Sequence, residues 1–150
     1  MSELDRLTAA PIAMAALLAD GATADGDPDE VGRAVVVART GGVLAGFPVF
    51  REVFGRMGVR CRPLRDEGSR LEPGDEVAEL GGPTAAMRGA WPTARRLLER
   101  ASAIASGALA ADTGDPLDEH AARLSPPGAV GHDEPSFELR IGGDPSAARR

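Results

Sequence analysis

Two glycine-containing stretches decide the fold of this chain: RTGGVLAG at Arg39–Gly46 and DEGSRLEPGDEVAEL at Asp66–Leu80. Directly before the first stretch, the run AVVVA at 34–38 predicts a strand, because β-branched residues favour extended backbone. The glycine pair at 41–42 permits a sharp change of direction. We therefore expect a strand that bends at this pair and then resumes.

The second stretch contains two turn signals, EG at 67–68 and PG at 73–74. Each dipeptide suits a tight turn, since glycine tolerates left-handed backbone and proline pre-sets its own φ. Apolar residues follow between and after the turns, at Leu71, Val77 and Leu80. This pattern predicts a small meander.

Between the two stretches, FPVFREVFGRMG at 47–58 has the periodicity of an amphipathic helix. Pro48 suits the first turn of such a helix, and Gly58 suits the position after its end. The large apolar side chains share one helical face: Phe47, Phe50, Val53, Phe54 and Met57. We expect this helix to seal the apolar face of the sheet.

The composition limits both the core and the partners. Of 150 residues, 43% are apolar but only 3% are aromatic, which predicts one domain with a modest aliphatic core. The net charge of −6 argues against nucleic acid or an anionic membrane as the main partner. Six arginines fall within 51–70, and we interpret them as a solvated face rather than an anion site.

Missing residue types exclude several kinds of chemistry. The chain has no lysine, asparagine, glutamine or tyrosine, and all 17 basic residues are arginine. This excludes lysine Schiff bases, P-loop lysines and lysine-tethered carrier groups. Cys61 is the single cysteine, and its strand-like context predicts a buried side chain rather than a nucleophile. We expect no catalytic residue, no cofactor and no metal site.

The N-terminal part is predicted to be a helix at 2–19 that Pro11 divides into two pieces. The acidic loop at 20–30 lacks the central glycine and the bidentate glutamate of a calcium loop. Glu3 and Asp5 stand where a secretory signal would be basic, and no apolar run approaches the about 20 residues that span a bilayer. We expect a cytoplasmic protein.

The C-terminal part is predicted to begin with a long helix at 84–110, kinked or restarted at Pro92 because proline lacks a backbone N–H. Beyond it, glycine, proline and charged residues dominate and leave little apolar surface to bury. We therefore assign one domain to 1–111 and a largely disordered, mobile tail to 112–150.

Two pieces of this tail have more regular patterns. A short helix is predicted at 115–124, and SFELRI at 136–141 alternates polar and apolar residues as an edge strand does. His120 and His132 lack the spacing of metal ligands, and we expect their side chains to be solvated.

The order of these elements resembles the N-terminal domain of quinolinate phosphoribosyltransferases. The resemblance covers about 17–109 and rests on ARTGGVLAG at 38–46, the paired-turn stretch at 66–80 and GGPTAAM at 81–87. It implies an α+β, hammerhead-like fold in which a small antiparallel sheet is sandwiched with helices. The fold has an N-terminal helix and a long C-terminal helix.

The resemblance also implies a setting for function. These enzymes are pentosyltransferases that join quinolinate to phosphoribosyl pyrophosphate, with decarboxylation, to form nicotinate mononucleotide for NAD biosynthesis. The active site lies between the N-terminal domain of one subunit and the α/β barrel of the other. We expect a homodimer, or a hetero-partner that contains the barrel. Since 150 residues leave no room for the barrel, we expect no activity from the chain alone.

In the family, this domain contributes an arginine of a Glu-Arg-Thr triplet, which contacts the substrate carboxylates. An ungapped alignment places WPT at 91–93 on the triplet, so Pro92 replaces the arginine. A gapped alignment places ERA at 99–101 there but needs a four-residue deletion. We favour the first, because it keeps the spacing from the GP pair at 82–83. Proline cannot make the two-pronged contact of a guanidinium with a carboxylate.

Three arginines further along the helix, Arg95, Arg96 and Arg100, are candidate substrate-binding residues for a displaced anion contact. The alternative is a charged outer face paired with Glu99. Three functions remain open: a non-catalytic relative, or pseudoenzyme, that acts through a partner; a subunit of a split enzyme with the barrel on another chain; and a small-ligand-binding module. The last rests on a likeness of the paired-turn stretch to the hairpin of biotinyl and lipoyl domains.

Overall fold

A computed structural model describes residues 6–126 and 134–142 and confirms the α+β class. In chain order the elements are α1 (Arg6–Asp20), β1 (Val31–Ala38), β2 (Gly42–Val43), α2 (Phe47–Arg56), β3 (Arg60–Pro63), β4 (Arg70–Leu71), β5 (Glu76–Pro83), α3 (Thr84–Ala105), α4 (Pro116–Arg123) and β6 (Phe137–Gly142). No helix within these described residues is both long enough and apolar enough to cross a membrane.

The main sheet has four antiparallel strands in the order β3-β5-β1-β6. Because side chains alternate between the faces of a strand, Ala34, Val36 and Ala38 of β1 all point inward and are buried. The α3 helix lies against this inner face and contacts β1, β5 and β6. The opposite face of the sheet carries Arg33 and Val35 and has no helix packed on it among these contacts.

The predicted meander is wrong in its strand pairing. Both turns form, with left-handed φ of 86° at Gly68 and 92° at Gly74, but β4 pairs with β2 and not with β5. Two serines explain the difference: Ser102 of α3, and Ser106 directly after the end of that helix. The Val43 N–H donates to Ser106 Oγ at 2.8 Å and the Ala45 N–H to Ser102 Oγ at 3.1 Å, so the chain after the glycine pair is bonded to α3 rather than to the main sheet.

The predicted α2 helix forms and supplies most of the aromatic core. The rings of Phe50 and Phe54 are fully buried and lie 5.1 Å apart in an edge-to-face arrangement. Trp91 of α3 meets Phe50 at 6.3 Å, also edge to face. The helix packs against α1, α3 and β3, so it joins the helical layer to one edge of the sheet.

The breaks predicted at the prolines of the two long helices do not occur. Both α1 and α3 are continuous through their prolines, Pro11 and Pro92. In α3 the neighbouring Ala90 and Ala94 are fully buried. This packing stabilises the helix at Pro92, where proline has no backbone N–H to donate to the preceding turn.

The α3 helix ends at Ala105, before the expected residue 110. There Gly107 has a left-handed φ of 81°, and the Ala108 N–H donates to the Ala103 carbonyl, as in a Schellman motif.

The predicted tail contains both of its expected ordered pieces. The helix α4 begins after Asp115, whose carboxylate accepts from the Leu117 and Asp118 N–H groups, and β6 is the edge strand beside β1. The expectation that His120 is solvated is wrong, because its side chain is buried between α4 and the loop before β4. His132 lies outside the described residues.

Candidate functional site

The three candidate arginines of α3 have different surroundings. Arg95 is exposed, and it has no ion pair with any residue in 6–126 or 134–142. Arg96 contacts Asp20 at the end of α1, and Arg100 contacts Asp118 of α4. Of these three arginines, Arg95 therefore presents an unengaged guanidinium to solvent, and the other two join neighbouring elements.

The contact between Arg100 and Asp118 is two-pronged. The Arg100 Nε donates to Asp118 Oδ1 at 3.0 Å, and Nη2 donates to Oδ2 at 2.7 Å. The Asp112 N–H donates to the same Oδ2 at 2.8 Å. Burial alone would raise the pKa of Asp118, but these hydrogen bonds and the Arg100 charge outweigh it and hold the pKa below its ordinary value. Asp118 is thus a buried carboxylate whose acceptors are already engaged.

Arg96 belongs to a second polar cluster at the surface. Asp20 Oδ2 accepts from the Thr93 hydroxyl at 2.6 Å and from Arg96 Nη2 at 3.0 Å. The Thr93 hydrogen bond and then that of Arg96 lower the pKa of Asp20. Thr93 is the residue after Pro92, so the cluster occupies the segment that the ungapped alignment places on the family triplet.

The sequence reasoning missed a third cluster, at the start of α2. Glu67 accepts from the Gly46 N–H at 2.7 Å through Oε2 and from the Phe47 N–H at 3.1 Å through Oε1. His120 Nε2 lies 2.7 Å from the same Oε2. The available signal was that Gly46 offers α2 no side-chain cap, so a carboxylate from elsewhere had to satisfy these N–H groups.

The remaining candidate chemistry is limited. Cys61 is buried, as predicted, and burial raises the pKa of its thiol to about 12, which keeps the thiol protonated at neutral pH. Within the parts of the chain that the structure describes, no group of three or more His, Cys, Asp or Glu side chains is placed to hold a metal ion.

The fold and these motifs define a class of protein. The chain belongs to the family of quinolinate phosphoribosyl transferase N-terminal domains, whose model matches residues 12–102. Over 79 residues it is 39% identical to the carboxylating nicotinate-nucleotide pyrophosphorylase of Rattus norvegicus and 38% identical to that of Homo sapiens. The match covers 53% of this chain but 26% and 27% of those proteins, so the chain spans about a quarter of their length.

Solved structures agree on the fold. The Streptococcus pyogenes NadC structure superposes with a TM-score of 0.72 at 22% identity, over 89% of this chain and 56% of that one. The nicotinate-nucleotide pyrophosphorylase of Francisella tularensis gives a TM-score of 0.66 at 16% identity, over 87% of this chain and 55% of that one. The suspected family membership is confirmed.

Proposed function

We propose that this chain is a non-catalytic relative of the quinolinate phosphoribosyltransferase N-terminal domain that acts in cytoplasmic NAD biosynthesis by binding a barrel-containing phosphoribosyltransferase. One observation carries the proposal: the two α3 arginines nearest a carboxylate are bound to the chain's own Asp20 and Asp118. The position matched to the family's arginine is Pro92, which offers no guanidinium.

The contact between Arg100 and Asp118 weighs most against substrate binding by the chain alone. Both guanidinium nitrogens that face Asp118 already donate to it. For Arg100 to bind a substrate carboxylate in the same way, it would leave Asp118 buried without its cation. Breaking such a pair costs about 2 to 3 kcal/mol when one partner is partly exposed, and this cost would be subtracted from any gain on binding.

A partner supplies what the domain lacks under this proposal. The chain spans about a quarter of its curated relatives, which are themselves named as pyrophosphorylases. From the family resemblance, we expect the active site of these enzymes to lie between an N-terminal domain and the barrel of another subunit, and this expectation supports the proposal. The partner is then a full-length relative in a hetero-complex, and a homodimer of this chain is the form expected in its absence.

The test uses the purified chain and the full-length nicotinate-nucleotide pyrophosphorylase of the same cell. We expect the chain alone to form no nicotinate mononucleotide from quinolinate and phosphoribosyl pyrophosphate. In the mixture we expect a new complex by light scattering, with a mass that includes both chains. Steady product formation by the chain alone would refute the non-catalytic role. Masses equal to those of the separate proteins at all concentrations would refute the partner role.

Arg95 favours a second candidate, a subunit of a split enzyme. It is exposed and unengaged among the described residues, so it can reach a partner's substrate without breaking an existing pair. Activity reconstituted with a separate barrel chain should fall about tenfold in kcat/KM in Arg95→Gln, the loss expected from one charge-assisted contact. Arg88→Gln, at an exposed arginine of the same helix, is the matched control. Equal activity of the two variants would refute this role.

A further inference from the structure

One row of residues across the outer face of the main sheet carries positive charge and no carboxylate. Arg60 of β3 and Arg33 of β1 both lie opposite Gly81 of β5. Directly opposed residues of antiparallel strands project to the same face, so the two arginines flank the glycine. With neighbouring strands spaced by about 4.8 Å, their Cα atoms are about 10 Å apart, within reach of two arginine side chains.

The Arg60 side chain already lies along this row. Its Nη2 atom is 3.4 Å, and its Nε atom 3.9 Å, from the point where a Cβ on Gly81 would stand. The Arg60 guanidinium therefore lies over the glycine, in the space that a side chain at position 81 would fill. Gly81 does not have a positive φ, so backbone conformation does not explain a glycine there. The missing side chain instead gives the Arg60 guanidinium room to lie over the strand, in the row that also holds Arg33.

The next row of the same face is different, because its arginines are neutralised. Arg62 forms an ion pair with Glu79, and Arg140 Nη2 lies 2.9 Å from Glu138 Oε1. Neither Arg33 nor Arg60 has an ion pair or hydrogen bond with any side chain of 6–126 or 134–142. Two unpaired guanidiniums held on one row favour an anion between them.

The geometry points to an oxyanion site formed by Arg33, Gly81 and Arg60, with the phosphate group of a small molecule as its ligand. A phosphate has at least three acceptor oxygens and a charge near −2, which matches two guanidiniums that each donate paired N–H groups. A single carboxylate, with two oxygens and one charge, would satisfy only one of them. The site lies on the face of the sheet opposite α3, the helix that carries the candidate arginines of the proposed function.

The test is an NMR titration of the ¹⁵N-labelled chain with inorganic phosphate, pyrophosphate and ribose 5-phosphate at constant ionic strength. We expect saturable shifts at the Gly81 amide and at the Nε–H signals of Arg33 and Arg60. Arg33→Gln and Arg60→Gln should each weaken binding about tenfold, since each removes one charge-assisted pair. Arg62→Gln and Arg140→Gln are the matched controls on the same face and should change it less than about twofold.

The three probes separate the sources of the phosphate. Equal affinity for phosphate and ribose 5-phosphate would mean that the site recognises the phosphate group alone. Tighter binding of pyrophosphate would indicate a diphosphate ligand, and tighter binding of ribose 5-phosphate would indicate a sugar phosphate. Unchanged spectra outside the row would show that the variants remain folded. Equal weakening in all four variants, or shifts spread over every surface arginine, would overturn the site in favour of general electrostatic attraction.

Discussion

The body of the domain and the segments attached to it are held by different forces. In the body, which consists of α2, α3 and the inner face of the main sheet, the contacts are apolar, and Phe50 and Leu98 are fully buried. In the attached segments, which are α4 and the loop at 20–30, carboxylates add directional contacts, although Leu117 and Ala121 of α4 also join the apolar core. Asp118 binds α3 from α4, and Asp20 binds α3 from the end of α1.

This difference shows which features of the fold tolerate substitution. Burial of apolar area is non-directional, so several side chains of similar size would serve the body. An attached segment depends on a particular pair of charges meeting across the chain, with acceptors and donors matched atom by atom. Single substitutions in the two regions should therefore differ in size and in their dependence on pH.

The largest effect is expected in the body. Phe50→Ala would remove a fully buried ring that contacts Phe54 and Trp91, and would leave a cavity among them. We expect the free energy of unfolding, measured in urea, to fall by about 3 to 5 kcal/mol. Leu18→Ala is the control, because that side chain is 76% exposed, and it should change stability by less than about 0.5 kcal/mol. Equal losses in the two variants would contradict this account of the core.

A smaller loss is expected where α4 is attached. Asp118→Asn would leave the Arg100 guanidinium without its counter-charge. We expect a loss of about 2 to 3 kcal/mol in the same urea experiment, less than for a fully buried pair because the Arg100 side chain is 40% exposed. The neighbouring Glu119→Gln, at an exposed residue of α4, should be nearly neutral. A neutral result for Asp118→Asn would mean that apolar contacts alone hold α4.

The same variant sharpens the comparison through pH. The folded pKa of Asp118 is depressed below its ordinary value of 3.8, so its stabilising contribution is present above that value and is lost as pH falls through the folded pKa. The stability difference between the native chain and Asp118→Asn should therefore shrink as pH is lowered from about 5 toward 2. Asp20 is present in both proteins, so its own titration cancels in the difference. A difference that stays constant with pH would contradict the depressed pKa.

Sequence patterns were sufficient where a feature depends on local chemistry. The spacing of phenylalanines located α2, the Asp115-Pro116 pair located the start of α4, and alternation located β6. In each case the residues that form the pattern lie in the predicted element itself or directly beside it in the sequence. Gly46 shows the limit of this reasoning. A Cβ there would stand 2.8 Å from Ala101 Cβ, so the close approach of α3 also requires the glycine.

The features that the sequence did not reveal all depend on a distant partner. The pairing of β4 with β2 follows from Ser102 and Ser106, which lie on and directly after a helix that comes later in the chain. The contact of Glu67 with His120 joins residues 53 positions apart. No periodicity or turn signal encodes such a meeting, because it exists only once the helices have packed. Arg100 is the same case, since the sequence showed its charge but not that Asp118 binds it.

A close backbone approach in the second attached segment gives a further test. Gly89 lies within α3, and a Cβ there would overlap the Thr23 carbonyl oxygen of the loop. Glycine to alanine normally stabilises a helix interior by about 1 kcal/mol, but here we expect Gly89→Ala to lower the free energy of unfolding by about 2 kcal/mol. Gly55→Ala in α2 meets no atom within 4 Å and should stabilise the chain. The same sign for both variants would show that the loop does not press on α3.

The smallest of these effects is expected at Glu67, where the two regions meet. Its carboxylate caps the first N–H groups of α2, in the body, and contacts His120 of α4, in an attached segment. Glu67→Ala should cost about 1 kcal/mol, as other lost helix caps do, and should speed hydrogen exchange at the Gly46 and Phe47 amides. Glu67→Gln keeps one acceptor oxygen and should restore protection at only one of the two amides. Glu72→Ala, at an exposed glutamate nearby, should leave both amides protected. If Glu67→Ala instead loosened α4 and left the Gly46 and Phe47 amides protected, the carboxylate would hold α4 in place and would not cap α2.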